Sequence, residues 1–259
     1  MDTWKFYDIT HREHVVCNPT SVEKLTRLVE LLRLPPDARV VDIASGKGEF
    51  LIRLAEAYGA RGVGIDISPY FIAEAEERLE ARAPGADVTF IEMAGADFKG
   101  DKPHSFSLAS CIGASWIFGG HAGTLEALIG LVEPGGWVIA GEPYWLQEPS
   151  DEYLEASGDT KEGFGTHAAN VEEGERRGLT LVHALVSDKD EWDRYEGLQW
   201  YATDEYTRTQ PADPDLQEVV ERVAKDKAVY LRWGRDTLGW AIYVFRRRPG
   251  KSATTARTG

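Results

Sequence analysis

Cysteine is scarce in this chain. Cys17 and Cys111 are the only two in 259 residues, too few and too far apart for a disulfide framework or a zinc-ligand spacing. No metal is expected, and both thiols are expected to be reduced. Long apolar runs are missing too, since none approaches the roughly 18 residues that suggest a membrane span. Met1-Asp2-Thr3-Trp4-Lys5 lacks the order of a secretory leader, so the expected setting is the cytoplasm, with no membrane partner. Positive charge is in deficit: 29 Lys and Arg face 43 Asp and Glu, a net charge of −14. That balance argues against affinity for nucleic acid driven by counterion release. Only the end reverses it, with Arg246, Arg247, Arg248, Lys251 and Arg257 and no acid after Phe245. Residues 249–259 read as a disordered tail, leaving 1–248 as one domain.

The most informative stretch present is 39–50, Arg-Val-Val-Asp-Ile-Ala-Ser-Gly-Lys-Gly-Glu-Phe. Val40, Val41 and Ile43 read as a buried strand. It breaks into a turn of small residues (Ala44, Ser45, Gly46, Gly48), and a helical pattern opens at Glu49. Small residues let a ligand approach the backbone, and the helix start offers unpaired N–H groups. A second strand, Gly62-Val63-Gly64-Ile65, ends in Asp66, 20 positions after Gly46. That is the spacing of a carboxylate that grips a ribose. The pair describes a nucleoside-binding βαβ unit, against the alternative of a structural glycine turn. A dinucleotide is disfavoured because the third glycine of G-x-G-x-x-G is missing and Glu49 would sit near a pyrophosphate.

Val-Asp-Ile-Ala-Ser-Gly-Lys-Gly resembles motif I of the class I S-adenosylmethionine-dependent methyltransferases, with Ala44 where that family often carries its first glycine. The resemblance covers residues 20–142 well and the last strand more weakly. It implies S-adenosyl-L-methionine as cofactor, Asp66 on both ribose hydroxyls, and Gly46 and Gly48 along the methionine portion, with Ala44, Ser45, Ile67 and Cys111 beside them. The family often has an Asp after strand three for the adenine amino group. Here Ala94 takes that place, leaving Asp97, or backbone groups of Met93 and Gly95, for the task.

Strand signals recur at 88–92, 106–111, 137–142, 180–186 and 240–245, with helical periodicity between them. Thr20-Ser21-Val22-Glu23 supplies a capping box, and Ser68-Pro69 an N-cap followed by Pro at the first helical position. The alternation implies an α/β, Rossmann-like, doubly wound sheet of seven strands. The resemblance adds that the last strand is antiparallel, between the fifth and sixth. About 50 residues separate strands six and seven, long for such a connection, and are rich in aromatics. They read as a helical insertion at 189–235, two helices at about 189–208 and 213–231, and together with 1–34 as a cap over the substrates.

Ligands of open α/β sheets sit beyond the carboxyl ends of the strands. Glu142, at the end of strand five, is the first candidate to act on an acceptor, with His121 second. Tyr7, His14, Trp116, Tyr144, Trp145 and Trp200 are candidates for an aromatic acceptor pocket suited to an amine or to a neutral planar ring. The expected activity is methyl transfer to N or O of a small molecule by in-line displacement. A protein or RNA methyltransferase, and a non-catalytic S-adenosylmethionine-binding protein, are the alternatives.

Overall fold

A computed structural model describes residues 1–249; the expected tail lies, apart from its first residue, outside the described residues. Seven strands form one sheet: β1 (Arg39–Ile43), β2 (Arg61–Asp66), β3 (Val88–Glu92), β4 (Phe106–Ile112), β5 (Val132–Trp145), β6 (Leu179–Val186) and β7 (Leu238–Arg247). Their order is β3-β2-β1-β4-β5-β7-β6. Neighbours from β3 to β5 are parallel, and β7 runs antiparallel to both β5 and β6. The doubly wound sheet and its reversed last strand are as expected.

Helices cover both faces because the central strands are apolar on both sides. On one face lie α2 (Val22–Leu32), α3 (Glu49–Tyr58) and α4 (Pro69–Arg82), packing Leu28, Leu51, Leu54 and Ala75 against Val40, Leu108 and Ile139. On the other, α5 (His121–Leu131) and α7 (His167–Arg176) cover Val41, Ala109, Val138 and Tyr243. Ser21 and Ser68 cap α2 and α4, their side chains accepting from Lys24 and Phe71 N–H.

A third, smaller apolar cluster stands apart from the sheet. It joins α1 (Thr3–Thr10), α8 (Lys189–Thr209) and α9 (Leu216–Val229) through Phe6, Ile9, Tyr206, Val219 and Val223. Helices α8 and α9 are the expected insertion, the second ending earlier than the pattern indicates, in a π-helical turn at Tyr230–Gly234. Helix α1 and α6 (Asp151–Ser157) were not legible in the periodicity. β5 is also longer than expected. After its pairing with β4 stops at Gly141 it continues against β7 to Trp145, and Pro143 sits where the β4 side is already open.

Candidate active site

The turn after β1 is shaped by its backbone. Ala44, Gly46 and Gly48 all have positive φ, at 56°, 53° and 74°. The alanine thus holds a left-handed conformation that a glycine would adopt without steric cost. A Cβ on Gly48 would stand 2.4 Å from Cζ of Phe90, so this glycine lets α3 close onto β3. The Asp66 carboxylate at the tip of β2 accepts from Gly46 N–H at 2.8 Å and from Ser68 N–H at 2.9 Å, one bond to each oxygen. Burial pushes this carboxyl up from its usual range, and the two N–H donors pull it back. Lone pairs remain for ribose hydroxyls. Ser45 Oγ is buried with no partner in the protein, a polar atom left over in the turn.

Above the turn opens a cavity of about 380 Å3, within the usual range of small-ligand sites. Ala44, Ser45 and Gly46 form its floor and Ala114 and Trp116 one wall; Tyr7 and His11 from the N-terminal segment and Trp192 and Tyr195 of α8 roof it. Beside it, Ile67, Met93 and Trp116 are 42%, 36% and 73% exposed at the carboxyl ends of β2, β3 and β4. Apolar side chains open to solvent at these positions suit a flat base. Gly95 is buried against Ile43 and Ile117, Ala94 is half-buried, and Asp97 is exposed on a short 3-10 turn.

Several expected site residues are elsewhere. Alternation along β5 turns Pro143 to the cavity, which puts Glu142 and Tyr144 on the opposite face. Glu142 is buried there: Oε1 accepts from Ser115 Oγ at 2.9 Å and Oε2 lies 3.8 Å from His121 Nδ1. His121 Nε2 donates to the Asn170 carbonyl at 3.1 Å, so Nδ1 carries the lone pair. Burial pushes Glu142 up to about 7 and His121 down to about 4. Both then sit neutral near pH 6, which suits a buried brace between α5, α7 and β5. Cys111 packs in the same apolar layer, and burial raises its thiol further. Trp145 donates to the Lys161 carbonyl at 2.9 Å, away from the cavity. Trp200 packs on Tyr230 and Lys227 and does not line the cavity, lying about 110° round α8 from the Trp192–Tyr195 side. His14 lies behind His11, with ring centroids 4.8 Å apart.

The residues that sequence reasoning passed over are those joining distant segments. Lys47, inside the glycine turn, is buried; its ammonium donates to the His11 carbonyl at 2.8 Å and pairs with Glu74 at 2.8 Å. It ties the N-terminal segment to the floor. A lysine among small residues was the one visible signal. His11 carried none.

A family model described as "Methyltransferase domain" matches residues 40–136. The chain is 33% identical over 246 residues to YjhP of Escherichia coli, an uncharacterized protein, spanning 94% of this chain and 98% of YjhP. A S-adenosylmethionine-dependent methyltransferase of Geobacter sulfurreducens, solved with S-adenosyl-L-homocysteine, is 34% identical, with a TM-score of 0.88 over 94% of this chain and 98% of that one. This chain belongs to the class I S-adenosylmethionine-dependent methyltransferases. A second such enzyme, from Thiobacillus denitrificans and also solved with S-adenosyl-L-homocysteine, gives 34% identity and a TM-score of 0.87, covering 96% of this chain and all of the other. The methyltransferase therefore uses S-adenosylmethionine. The turn, Asp66 and the unpartnered Ser45 are residues that fit it.

Proposed function

We propose that this methyltransferase acts on a small molecule held in the roofed cavity, through an N or O nucleophile. The observation that carries this reading is the partial roof: the cavity begins at the glycine turn and is partly covered by the chain's own α1 segment and α8. A volume of about 380 Å3 suits a small acceptor beside the methyl and leaves little room for a folded macromolecule. The net charge of −14 separately disfavours RNA.

In this reading Asp66 grips the ribose, and Ala44, Ser45 and Gly46 face the methionine portion, while Gly48 shapes the turn by letting α3 close onto Phe90. Ile67, Ala94, Gly95, Asp97 and Trp116 border the adenine, with backbone groups near Met93 and Gly95 as its hydrogen-bonding partners. S-Adenosylmethionine supplies a methyl already activated on sulfur, so the protein's task is alignment and exclusion of water. Residues 1–20 and the α8–α9 insertion act as a lid. Glu142 and His121 hold the turn that carries Trp116; they do not touch the acceptor.

The test is a screen of small acceptors with isotopically labelled donor, read by mass spectrometry, with parallel incubations on RNA and on polypeptide. Label is expected in a small molecule. Label only in RNA or protein would overturn the reading.

A further inference from the structure

The roof holds a directed chain of hydrogen bonds whose last residue, Tyr195, lines the cavity. Thr10 Oγ1 donates to the Phe6 carbonyl at 3.0 Å, so toward His11 Nδ1, also at 3.0 Å, it acts as acceptor. His11 Nδ1 therefore carries the proton and Nε2 the lone pair. Tyr195 Oη lies 3.0 Å from that Nε2 and must donate to it. Its hydroxyl proton is thus committed to His11, and the phenolic oxygen is left as an acceptor. Both His11 and Tyr195 line the cavity. One helical turn before Tyr195, the Trp192 indole N–H is buried with no partner, also on a cavity-lining residue.

The charged groups of the wall are spoken for. Lys47 is held by the His11 and Arg12 carbonyls and Glu74, and Glu49 by Arg53 and Arg82, while Asp42, its carboxyl raised by burial to about 7, accepts from the Ser110 hydroxyl. An anionic acceptor would find no free counter-charge. A cationic one would share the space with the Lys47 ammonium and the donor's sulfonium. What remains is a largely aromatic box in which Tyr195 offers an acceptor oxygen whose own proton is committed, with Ser45, Asn18 and Tyr7 among its other uncharged polar side chains.

We infer that Tyr195 is the acceptor-binding residue: its oxygen receives a hydrogen bond from the O–H or N–H of a neutral, compact, largely apolar acceptor, and His11 fixes the direction of its hydroxyl. This rests on the small-molecule reading above.

Phenol, toluene and benzoate, titrated by ligand-observed NMR into protein saturated with S-adenosyl-L-homocysteine, test the assignment. Toluene is the more apolar of the first two, so phenol binds more tightly only if a polar contact favours it. Phenol is expected to bind about threefold to tenfold tighter than toluene, the worth of one hydrogen bond, with benzoate weakest. Tyr195→Phe is expected to weaken phenol and leave toluene unchanged. The inference is overturned by phenol binding no tighter than toluene in the unaltered protein, by equal loss of both in the variant, or by benzoate binding as well as phenol. Failure of the homocysteine product itself to bind would instead count against the cofactor site.

Discussion

The floor and the roof of the cavity are held together by different means. The floor is backbone geometry: positive φ at the alternate positions Ala44, Gly46 and Gly48 and a carboxylate bonded to two N–H groups, all within Ala44 to Ser68. The roof is side-chain packing and ion pairs between chain segments far apart. Lys5 reaches Asp213 and Asp215, His14 donates to the Tyr195 carbonyl, and Lys24 is bonded to Glu191. Its apolar cluster is small and separate from the two layers that sandwich the sheet. A pocket made this way has one rigid side to hold the cofactor. Its other side can open, since segments with few buried apolar contacts open at lower cost than a core.

The sharpest break of that contrast lies in the floor. Gly48→Ala puts a Cβ 2.4 Å from Phe90 at a φ of 74°, combining backbone strain with overpacking. A loss of about 2–5 kcal/mol is expected, measured by thermal or urea unfolding. Val220→Ala, on a 39% exposed roof residue, is expected to change stability by under about 0.5 kcal/mol.

Asp66→Asn tests the floor as a binding device. Replacing a charge-assisted acceptor by an amide is expected to weaken S-adenosylmethionine binding by about 1.5–3 kcal/mol in calorimetry, with folding retained. Unfolding without a separable loss of affinity would make Asp66 a structural acid only.

Lys47→Met cuts the link between the two sides. The methionine fills the volume but leaves the His11 carbonyl without its donor, while Glu74 keeps Arg78 as a second partner. A loss of about 1–3 kcal/mol is expected, together with faster hydrogen exchange in residues 1–20. If exchange there is unaffected, Lys47 does not hold the roof.

A further expected effect concerns Glu142, beneath the floor, and depends on pH. Its carboxyl titrates near 4.5 in the unfolded chain and at about 7 when folded. Between those values the native protein holds a proton that the unfolded chain has lost, so stability from this group falls as pH rises through that window and stays low above it. Glu142→Gln cannot ionise. It is expected to gain roughly 1–2 kcal/mol relative to the unaltered protein between pH 5 and pH 8, read from paired urea titrations. Equal stability differences at both pH values would contradict the assigned shift.

The same contrast explains what the sequence disclosed. The turn, Asp66 and the strand alternation are local patterns, decided by residues within some 20 positions of each other, and all were legible. Glu142 lies off the cavity because a strand end has two faces and Pro143 takes the one toward the cavity. Trp200 faces away from the cavity while Trp192 and Tyr195 line it, and aromatic content alone does not reveal which side of α8 meets the cavity. His11 and Lys47 matter only through partners that folding brings from elsewhere in the chain, such as Tyr195 and the N-terminal carbonyls. Pattern reading has no access to those pairs.

Hydrogen exchange of the protein with and without S-adenosyl-L-homocysteine tests the two-sided cavity most directly. Residues 44–48 and 66–68 are expected to gain protection because the ligand contacts them. Residues 1–20 and 189–209 are expected to gain it as well, because the roof closes over the occupied floor. Protection confined to the floor, with both roof segments unchanged, would contradict the account.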